Sequence, residues 1–85
     1  MDIDALRDNR RRVVGMRETL KKITHGTALH VYIAKDAEAR VIEDIATQSQ
    51  NRSIPIDYVD SMDELGRLCG IEVGAACAAL IPERA

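Results

Sequence analysis

The chain has 85 residues, which is the length of a single domain. Its 46% hydrophobic and 31% charged residues form an ordinary globular balance, which excludes a chain that is disordered throughout. Phe and Trp are absent and only two Tyr are present, which argues against a platform of aromatic side chains that stacks on bases. No apolar run approaches the roughly 18 residues of a membrane span.

The formal net charge of −2 hides an asymmetry along the chain. Residues 1–26 contain seven basic and four acidic residues, whereas residues 27–85 contain five basic and ten acidic residues. A basic N-terminal third on an acidic body is typical of a surface that binds a polyanion. The same pattern also arises from ordinary solvated helix faces, and charge alone does not separate the two interpretations.

The acidic N-terminal sequence Met-Asp-Ile-Asp-Ala-Leu lacks the apolar core of a signal peptide, so secretion is not expected. The two cysteines, Cys69 and Cys77, are too few for a disulfide framework and fit better as small buried side chains. We therefore expect a cytoplasmic, monomeric protein with reduced cysteines and no membrane partner.

The first half of the chain alternates helical and extended patterns. A short helix is predicted over 2–9 and a short strand over 12–14, after which Gly15 interrupts the pattern. A helix is predicted over 16–25, with Gly26 as its C-terminal stop. Its apolar side chains recur at i, i+4 and i+7 and therefore share one helix face; they are Met16, Leu20 and Ile23.

The second half continues this alternation. The predicted elements are a strand over 29–34, a helix over 38–50, a strand over 54–59, a helix from Ser61 to Cys69, and a strand over 75–81. Ser61 and Glu64 have the spacing of a capping box, and Gly70 ends the helix that they begin. The alanine-rich last segment fits helix or strand by propensity, and we predict a strand because it follows a glycine-bounded turn and ends at Pro82.

Strands that alternate with helices in one small chain predict an α/β layered fold. The segment over 29–34 is almost wholly aliphatic, which is typical of a strand that is covered by helices on both faces. The small side chains over 75–79 suit a central strand against which helices pack closely.

No residue pattern predicts catalysis, a metal site or a cofactor. His25 and His30 have no third ligand at a suitable spacing, and they fit better as a helix-end and a strand-edge histidine. Gly66, Gly70 and Gly74 recur every fourth residue, yet they lack the Lys and Ser or Thr of a phosphate-binding loop. The acidic residues near position 60 are explained by a helix start. We therefore expect a protein that is not an enzyme.

The helix that follows Gly15 carries the strongest indication of binding. Arg17 and Lys21 are neighbours at i, i+4 on a face that is offset from the apolar one, and Glu18 lies beside them. The free amide groups at a helix start attract phosphate, while Arg and Lys donate to phosphate or to guanine O6 and N7, and Glu accepts from base amino groups. A surface helix with solvated ion pairs remains the alternative interpretation.

Three segments in this order resemble the kink-turn RNA-binding ribosomal proteins, the L-seven-Ae/L-thirty-e family, and above all its small bacterial branch. They read GMRETLKKI over 15–23, VYIAKDA over 31–37 and SMDELGRLCGIEVGAA over 61–76. The resemblance covers residues 13–81. It implies a three-layer α/β/α sandwich around a four-stranded mixed sheet, formed by one domain over 1–85.

The resemblance also implies which residues bind RNA. In the family, the helix after the glycine enters a widened major groove at tandem sheared G·A pairs, and the loop before the last strand covers an extruded nucleotide. The positions that match in this chain are Gly15, Arg17, Glu18 and Lys21 for the helix, Ile71, Glu72 and Val73 for the loop, and Lys35 for a phosphate contact. Archaeal members carry Asn-Glu where this chain has Arg17-Glu18.

The function that follows from the resemblance is binding of structured RNA with a kink-turn and stabilisation of its kinked form, in a ribosome-associated or ribosomal-protein-like role. The alternative is a protein–protein interaction module of the same fold that does not bind RNA. The basic run over 10–12 lies outside the matching motifs, and it fits an auxiliary backbone contact and a solvated run equally well.

Overall fold

A computed structural model of the protein describes residues 3–83. A 3-10 helix over Ile3–Arg7 precedes three α-helices and four strands. These elements are β1 (Arg12–Val14), α1 (Met16–Thr24), β2 (His30–Ala34), α2 (Ala39–Asn51), β3 (Ile56–Val59), α3 (Met62–Leu68) and β4 (Cys77–Leu80).

The four strands form one open sheet in the order β1-β4-β2-β3. β4 pairs antiparallel with both of its neighbours, whereas β2 and β3 pair in parallel, so the sheet is mixed. Helices α1 and α2 cover one face, and α3 and the 3-10 helix cover the other. The predicted three-layer α/β/α sandwich with a four-stranded mixed sheet is confirmed.

Alternate side chains of each strand enter two separate cores. Val31 and Ile33 pack with α1 and α2, whereas Tyr32 and Ala34 pack with α3 and the 3-10 helix. Strand β4 lies inside the sheet, and all four of its residues are buried, as the small side chains predict. Alanines on an inner strand let the helix layers approach the sheet closely because there is little side-chain volume to accommodate.

The three α-helices of the described residues end in the same way. At each end a residue with positive φ follows the C-cap, and the next backbone N–H donates to a carbonyl inside the last turn, which is the Schellman arrangement. The positive-φ residues are Gly26, Ser53 and Gly70, and the closing hydrogen bonds are Thr27 N to Lys22 O at 3.0 Å, Ile54 N to Ser49 O at 2.9 Å and Ile71 N to Gly66 O at 3.0 Å. The predicted stops at Gly26 and Gly70 are confirmed.

Three strands begin later than the sequence predicts. The strand predicted from Leu29 begins one residue later, at His30. The strand predicted from Ile54 begins at Ile56, because the Ile54 N–H closes the end of α2 and Pro55 has no N–H to donate. The strand predicted from Ala75 begins at Cys77, because the Ala75 N–H donates to the Met62 carbonyl at 3.0 Å.

The helix predicted over 2–9 is the shorter 3-10 helix, and its predicted first residue, Asp2, lies outside the described residues. Helix α1 begins as predicted and ends one residue earlier. Helix α2 begins and ends one residue later than predicted.

Strands β1, β2 and β3 run in one direction, and β4 runs against them. Their carboxyl ends therefore meet the beginning of β4, and we call this the carboxyl end of the sheet. Gly15, Lys35 and Asp60 follow the three strands there. In open α/β sheets, ligands bind at the carboxyl ends of the strands, so these three residues are candidates for contact with a ligand.

Candidate nucleic-acid interface

Helix α1 begins at the carboxyl end of the sheet without a side-chain cap from any described residue. Its N-cap is Gly15, whose φ of 93° favours glycine. The Gly15 N–H donates to the Cys77 carbonyl at 2.8 Å and ties the start of α1 to the start of β4. The next amide groups point out of the helix start, where the helix dipole favours negative charge. This arrangement suits a phosphate or another anion.

Arg17, Glu18 and Lys21 are exposed on the polar side of α1. With Leu20 and Thr24 they line an open cavity that has a volume of about 630 Å³. Within residues 3–83 none of the three charged side chains forms an ion pair. Two cationic donors and one anionic acceptor therefore face solvent beside the uncapped helix start.

The opposite side of α1 holds this surface in place. Ile23 is fully buried, and Met16 and Leu20 pack against the first core, as their spacing predicts. Thr19 is also fully buried, which its polar side chain did not suggest. Its hydroxyl lies beside the Cys77 thiol, although no hydrogen bond of standard geometry joins them. Cys77, the first residue of β4, is therefore in contact with the backbone of Gly15 and with the side chain of Thr19.

Lys35 follows β2 directly, and its backbone N–H donates to the Val59 carbonyl at 2.8 Å. Its Nζ lies 3.2 Å from a carboxylate oxygen of Asp60. Both side chains are mostly exposed, so the pair contributes only about 0–1 kcal/mol and leaves Lys35 available to a phosphate.

The loop over 71–74 lies along α3 and leads back to the carboxyl end of the sheet. It starts at the Schellman turn after α3 and ends where the Ala75 N–H reaches Met62, the first residue of that helix. Ile71 is partly buried against the second core, Glu72 is exposed, and Val73 is 70% exposed. The two apolar residues of the loop therefore differ: Ile71 packs inward, and Val73 presents its side chain to solvent.

The carboxyl end of the sheet thus brings together the start of α1, Lys35 and the end of the loop. Charge is segregated across it, since the cations of α1 lie on the β1 side and acidic residues surround the start of α3. Among the latter, Asp36 Oδ1 accepts a 2.8 Å hydrogen bond from the Met62 N–H, and Asp63 is exposed. A polyanion is therefore attracted to one side of this end and repelled from the other.

The basic run over 10–12 lies at the opposite, amino end of the sheet. Arg12 Nε donates to the Leu6 carbonyl at 2.9 Å and its Nη2 to the Cys69 carbonyl at 3.1 Å, so this side chain joins the 3-10 helix to the end of α3. Arg10 forms ion pairs with Asp8 and Glu83. A structural role for Arg12 could not be read from the sequence, because its two acceptors are backbone carbonyls far apart in the chain.

The two histidines occupy structural positions. His25 is the exposed C-cap of α1, and His30 Nε2 lies 2.6 Å from Asp57 Oδ2 while its ring stacks on Tyr32. Over residues 3–83 there is no cluster of three or more His, Cys, Asp or Glu side chains that could hold a metal ion. In the same range, every helix is too short or too polar to cross a membrane.

Both cysteines are buried and free, one in each core. Burial raises the pKa of the Cys77 thiol to about 11, an effect that the neighbouring Thr19 hydroxyl offsets only in part. Burial also raises the pKa of Cys69, against the opposing charge of Arg12. Neither thiol has the lowered pKa of a nucleophile.

The three-layer fold is that of a family of small α/β proteins that includes ribosomal proteins. Residues 2–85 match the Ribosomal protein L7Ae/L30e/S12e/Gadd45 family, and the chain belongs to it. The family resemblance that the sequence motifs indicated is confirmed.

Relatives of known sequence and structure are similar over most of the chain. An RNA-binding protein of Caldanaerobacter subterraneus subsp. tengcongensis is 51% identical over 75 residues, which are 87% of this chain and 92% of that protein. The large ribosomal subunit protein eL8 of Haloquadratum walsbyi is 35% identical over 68 residues, which are 79% of this chain and 57% of eL8. The solved Giardia lamblia 15.5kD RNA binding protein has the same fold, with a TM-score of 0.86 at 23% identity, covering 95% of this chain and 68% of that chain.

Proposed function

We propose that this protein is an RNA-binding protein that recognises a kink-turn and stabilises its bent form, acting as one domain over 1–85 and as a cytoplasmic monomer. The observation that carries the proposal is the uncapped start of α1, where Arg17, Glu18 and Lys21 stand exposed and without ion pairs among the described residues. Membership of a ribosomal-protein family, with relatives that are named RNA-binding proteins, supports RNA as the polyanion.

Helix α1 supplies the groups that read the RNA. The amide groups after Gly15 bind a backbone phosphate through charge-assisted hydrogen bonds. Arg17 and Lys21 donate to guanine O6 and N7 or to phosphate, and Glu18 accepts from the amino or imino group of a guanine. Sheared G·A pairs widen the groove and expose these base edges, so the helix start enters where an ordinary A-form major groove is too narrow.

The loop over 71–74 supplies an apolar contact. Val73 is 70% exposed, and an apolar side chain at the tip of a loop contributes most when a flat base covers it. Ile71 holds the loop against the second core, and Glu72 stays free to accept a hydrogen bond from a base edge. We propose that Val73 contacts the extruded nucleotide while Ile71 acts mainly through the position of the loop.

The segregation of charge orients the RNA. The phosphates lie on the α1 side, where Arg17 and Lys21 are, and Lys35 reaches a phosphate in place of its exposed partner Asp60. Bending RNA brings two negatively charged backbones together, which is unfavourable without neutralising groups. A protein that binds only the bent form shifts the population toward it by its difference in affinity for the two forms.

The test is a titration of the purified protein with two RNA duplexes. One contains a kink-turn, and the other replaces the tandem G·A pairs with Watson–Crick pairs. We expect at least tenfold tighter binding to the kink-turn, a decrease in affinity as salt rises, and a bend that fluorescence energy transfer across the duplex detects. Equal affinity for both duplexes would contradict kink-turn recognition, and no binding to either would favour the protein–protein module.

A further inference from the structure

Helix α3 has a glycine, Gly66, in a position where glycine is unfavourable. In a helix interior glycine is less favourable than alanine, because more backbone freedom is lost on folding. Gly66 is buried, and its φ is not positive, so neither exposure nor a left-handed backbone explains it. The reason for a glycine must therefore lie in what surrounds it.

The backbone of the loop over 71–74 occupies the place where a side chain would be. A Cβ added to Gly66 would stand 2.1 Å from the carbonyl oxygen of Val73 and 3.1 Å from its carbonyl carbon. Real Cβ atoms essentially never approach a non-bonded heavy atom within 3.0 Å, so a side chain here forces the Val73 backbone and α3 apart by about 1 Å. The two hydrogen bonds that flank this contact, from Ile71 N to Gly66 O and from Ala75 N to Met62 O, are each 3.0 Å long.

Gly74, the other glycine at this contact, leaves more space for a side chain than Gly66 does. A Cβ on Gly74 would stand 3.2 Å from the Met62 Cβ, 3.3 Å from the Met62 carbonyl carbon and 3.4 Å from an oxygen of Asp63, so it needs a shift of only a few tenths of an ångström. Gly66 is therefore the residue that fixes how deeply the loop sits against α3. The side chain that depends most on this depth is Val73, because its own carbonyl makes the contact while its side chain is 70% exposed.

We propose that Gly66 is a positioning residue for RNA recognition: by lacking a side chain it seats the Val73 carbonyl against α3 and so places the Val73 side chain for contact with the extruded base. This inference rests on the proposed function. Gly66 touches no RNA in this arrangement, and it acts only through the loop.

The experiment compares two kink-turn RNAs that differ only at the extruded nucleotide, which carries its base in one and is abasic in the other. The ratio of the two affinities measures the contact between the loop and the base, and it is independent of the fraction of folded protein. A base that covers the exposed Val73 side chain removes apolar surface from water, so we expect the wild type to prefer the base-bearing RNA by about tenfold, which is about 1.4 kcal/mol.

In Gly66→Ala we expect this ratio to fall to near one, whereas the dependence of affinity on salt stays as in the wild type because α1 is unchanged. Val73→Ser should lower the ratio in the same way. Combined with Gly66→Ala it should cause no further loss, because the contact is already gone. Gly74→Ala is the matched control and should keep the wild-type ratio.

Gly66→Ala can also destabilise the fold, so a second variant displaces the loop without changing α3. One glycine inserted between Glu72 and Val73 should move the Val73 carbonyl away from Gly66. The ratio of the affinities for the two RNAs should then again fall to near one. A wild-type ratio in either folded variant overturns the role of Gly66, and so does a wild type that binds both RNAs equally. Failure of the wild type to prefer a kink-turn over the Watson–Crick duplex instead overturns the proposed function.

Discussion

Arg17 and Lys21 are exposed on a helix face that does not enter the core, so the effect of replacing them on RNA binding can be measured separately from the effect on folding. We expect Arg17→Ala or Lys21→Ala to weaken kink-turn binding by about 1–3 kcal/mol if the side chain contacts a base edge. The free energy of unfolding should change by less than about 0.5 kcal/mol, since exposed substitutions rarely do more. Filter binding and urea unfolding on the same preparations measure the two effects.

The chain offers a matched control at the amino end of the sheet. Arg52 is exposed at the end of α2 and hydrogen-bonds only to Gln48, at 2.8 Å and 3.3 Å, among the described side-chain contacts. Arg52→Ala removes the same charge and should leave the affinity for the kink-turn unchanged. If Lys21→Ala binds normally while Arg52→Ala or Arg11→Ala does not, the RNA lies at the amino end and the proposed interface is wrong.

Among the elements, the end of α2 shows a local strain that its two counterparts avoid. Ser53 occupies the position that Gly26 and Gly70 fill in α1 and α3, with a φ of 56°. A left-handed backbone costs a non-glycine residue about 1–2 kcal/mol, which exceeds the extra entropy of about 0.5–1 kcal/mol that glycine loses on folding. We expect Ser53→Gly to raise the free energy of unfolding by roughly 0.5–1 kcal/mol.

The measurement for Ser53→Gly is a urea titration, in which the midpoint should rise while the slope stays constant. Ser53→Ala is the control, because it removes the hydroxyl and keeps the strained backbone. Equal stabilisation by both variants would mean that the hydroxyl, rather than the positive φ, is unfavourable in the native protein.

Element types could be predicted from the sequence because each depends on local chemistry. The Ser61 side chain accepts the Glu64 N–H at 3.0 Å, as the capping pattern of these two residues predicts. The spacing of Met16, Leu20 and Ile23 likewise defines the buried side of α1. The choice of β4 as an inner strand followed from the small size of its side chains, and the four-stranded mixed sheet followed from the family resemblance, whereas the order of the strands was not predicted.

Contacts between distant segments could not be predicted in this way. The loop over 71–74 packs against α3 at Gly66, where the Val73 carbonyl occupies the space that a side chain would need. A glycine in the sequence does not show which distant segment fills that space. The pairing of Lys35 with Asp60 depends on the register of β2 and β3. The difference between Ile71 and Val73 depends on how the loop lies on α3, so the sequence alone suggested one shared role for both residues.

At the scale of the whole molecule, the two cysteines link stability to pH. The pKa of Cys77 is raised from 9.0 to about 11 in the folded protein, so the native state favours the protonated thiol. This contribution is complete below about pH 9 and is lost as pH rises toward 11, with each unit of pKa difference worth about 1.4 kcal/mol. The raised pKa of Cys69 acts in the same direction.

We therefore expect the free energy of unfolding to fall over this alkaline interval, and to fall less steeply in Cys77→Ala. Urea titrations from neutral pH to about pH 11 measure both curves. The comparison isolates the contribution of the Cys77 thiol, because the two proteins have the same residues at every other position. Parallel curves would mean that the Cys77 thiol ionises as readily in the folded chain as in the unfolded one.

The segregated charge at the carboxyl end of the sheet also affects how the protein meets its RNA. With a net charge of −2, the molecule as a whole is repelled weakly by a polyanion at long range, while its basic α1 flank is attracted. We therefore expect encounters that begin at the acidic α3 flank to dissociate sooner than those that begin at α1. The protein is thus turned toward the correct orientation during diffusion, and its association rate should decrease with added salt more steeply than its dissociation rate increases.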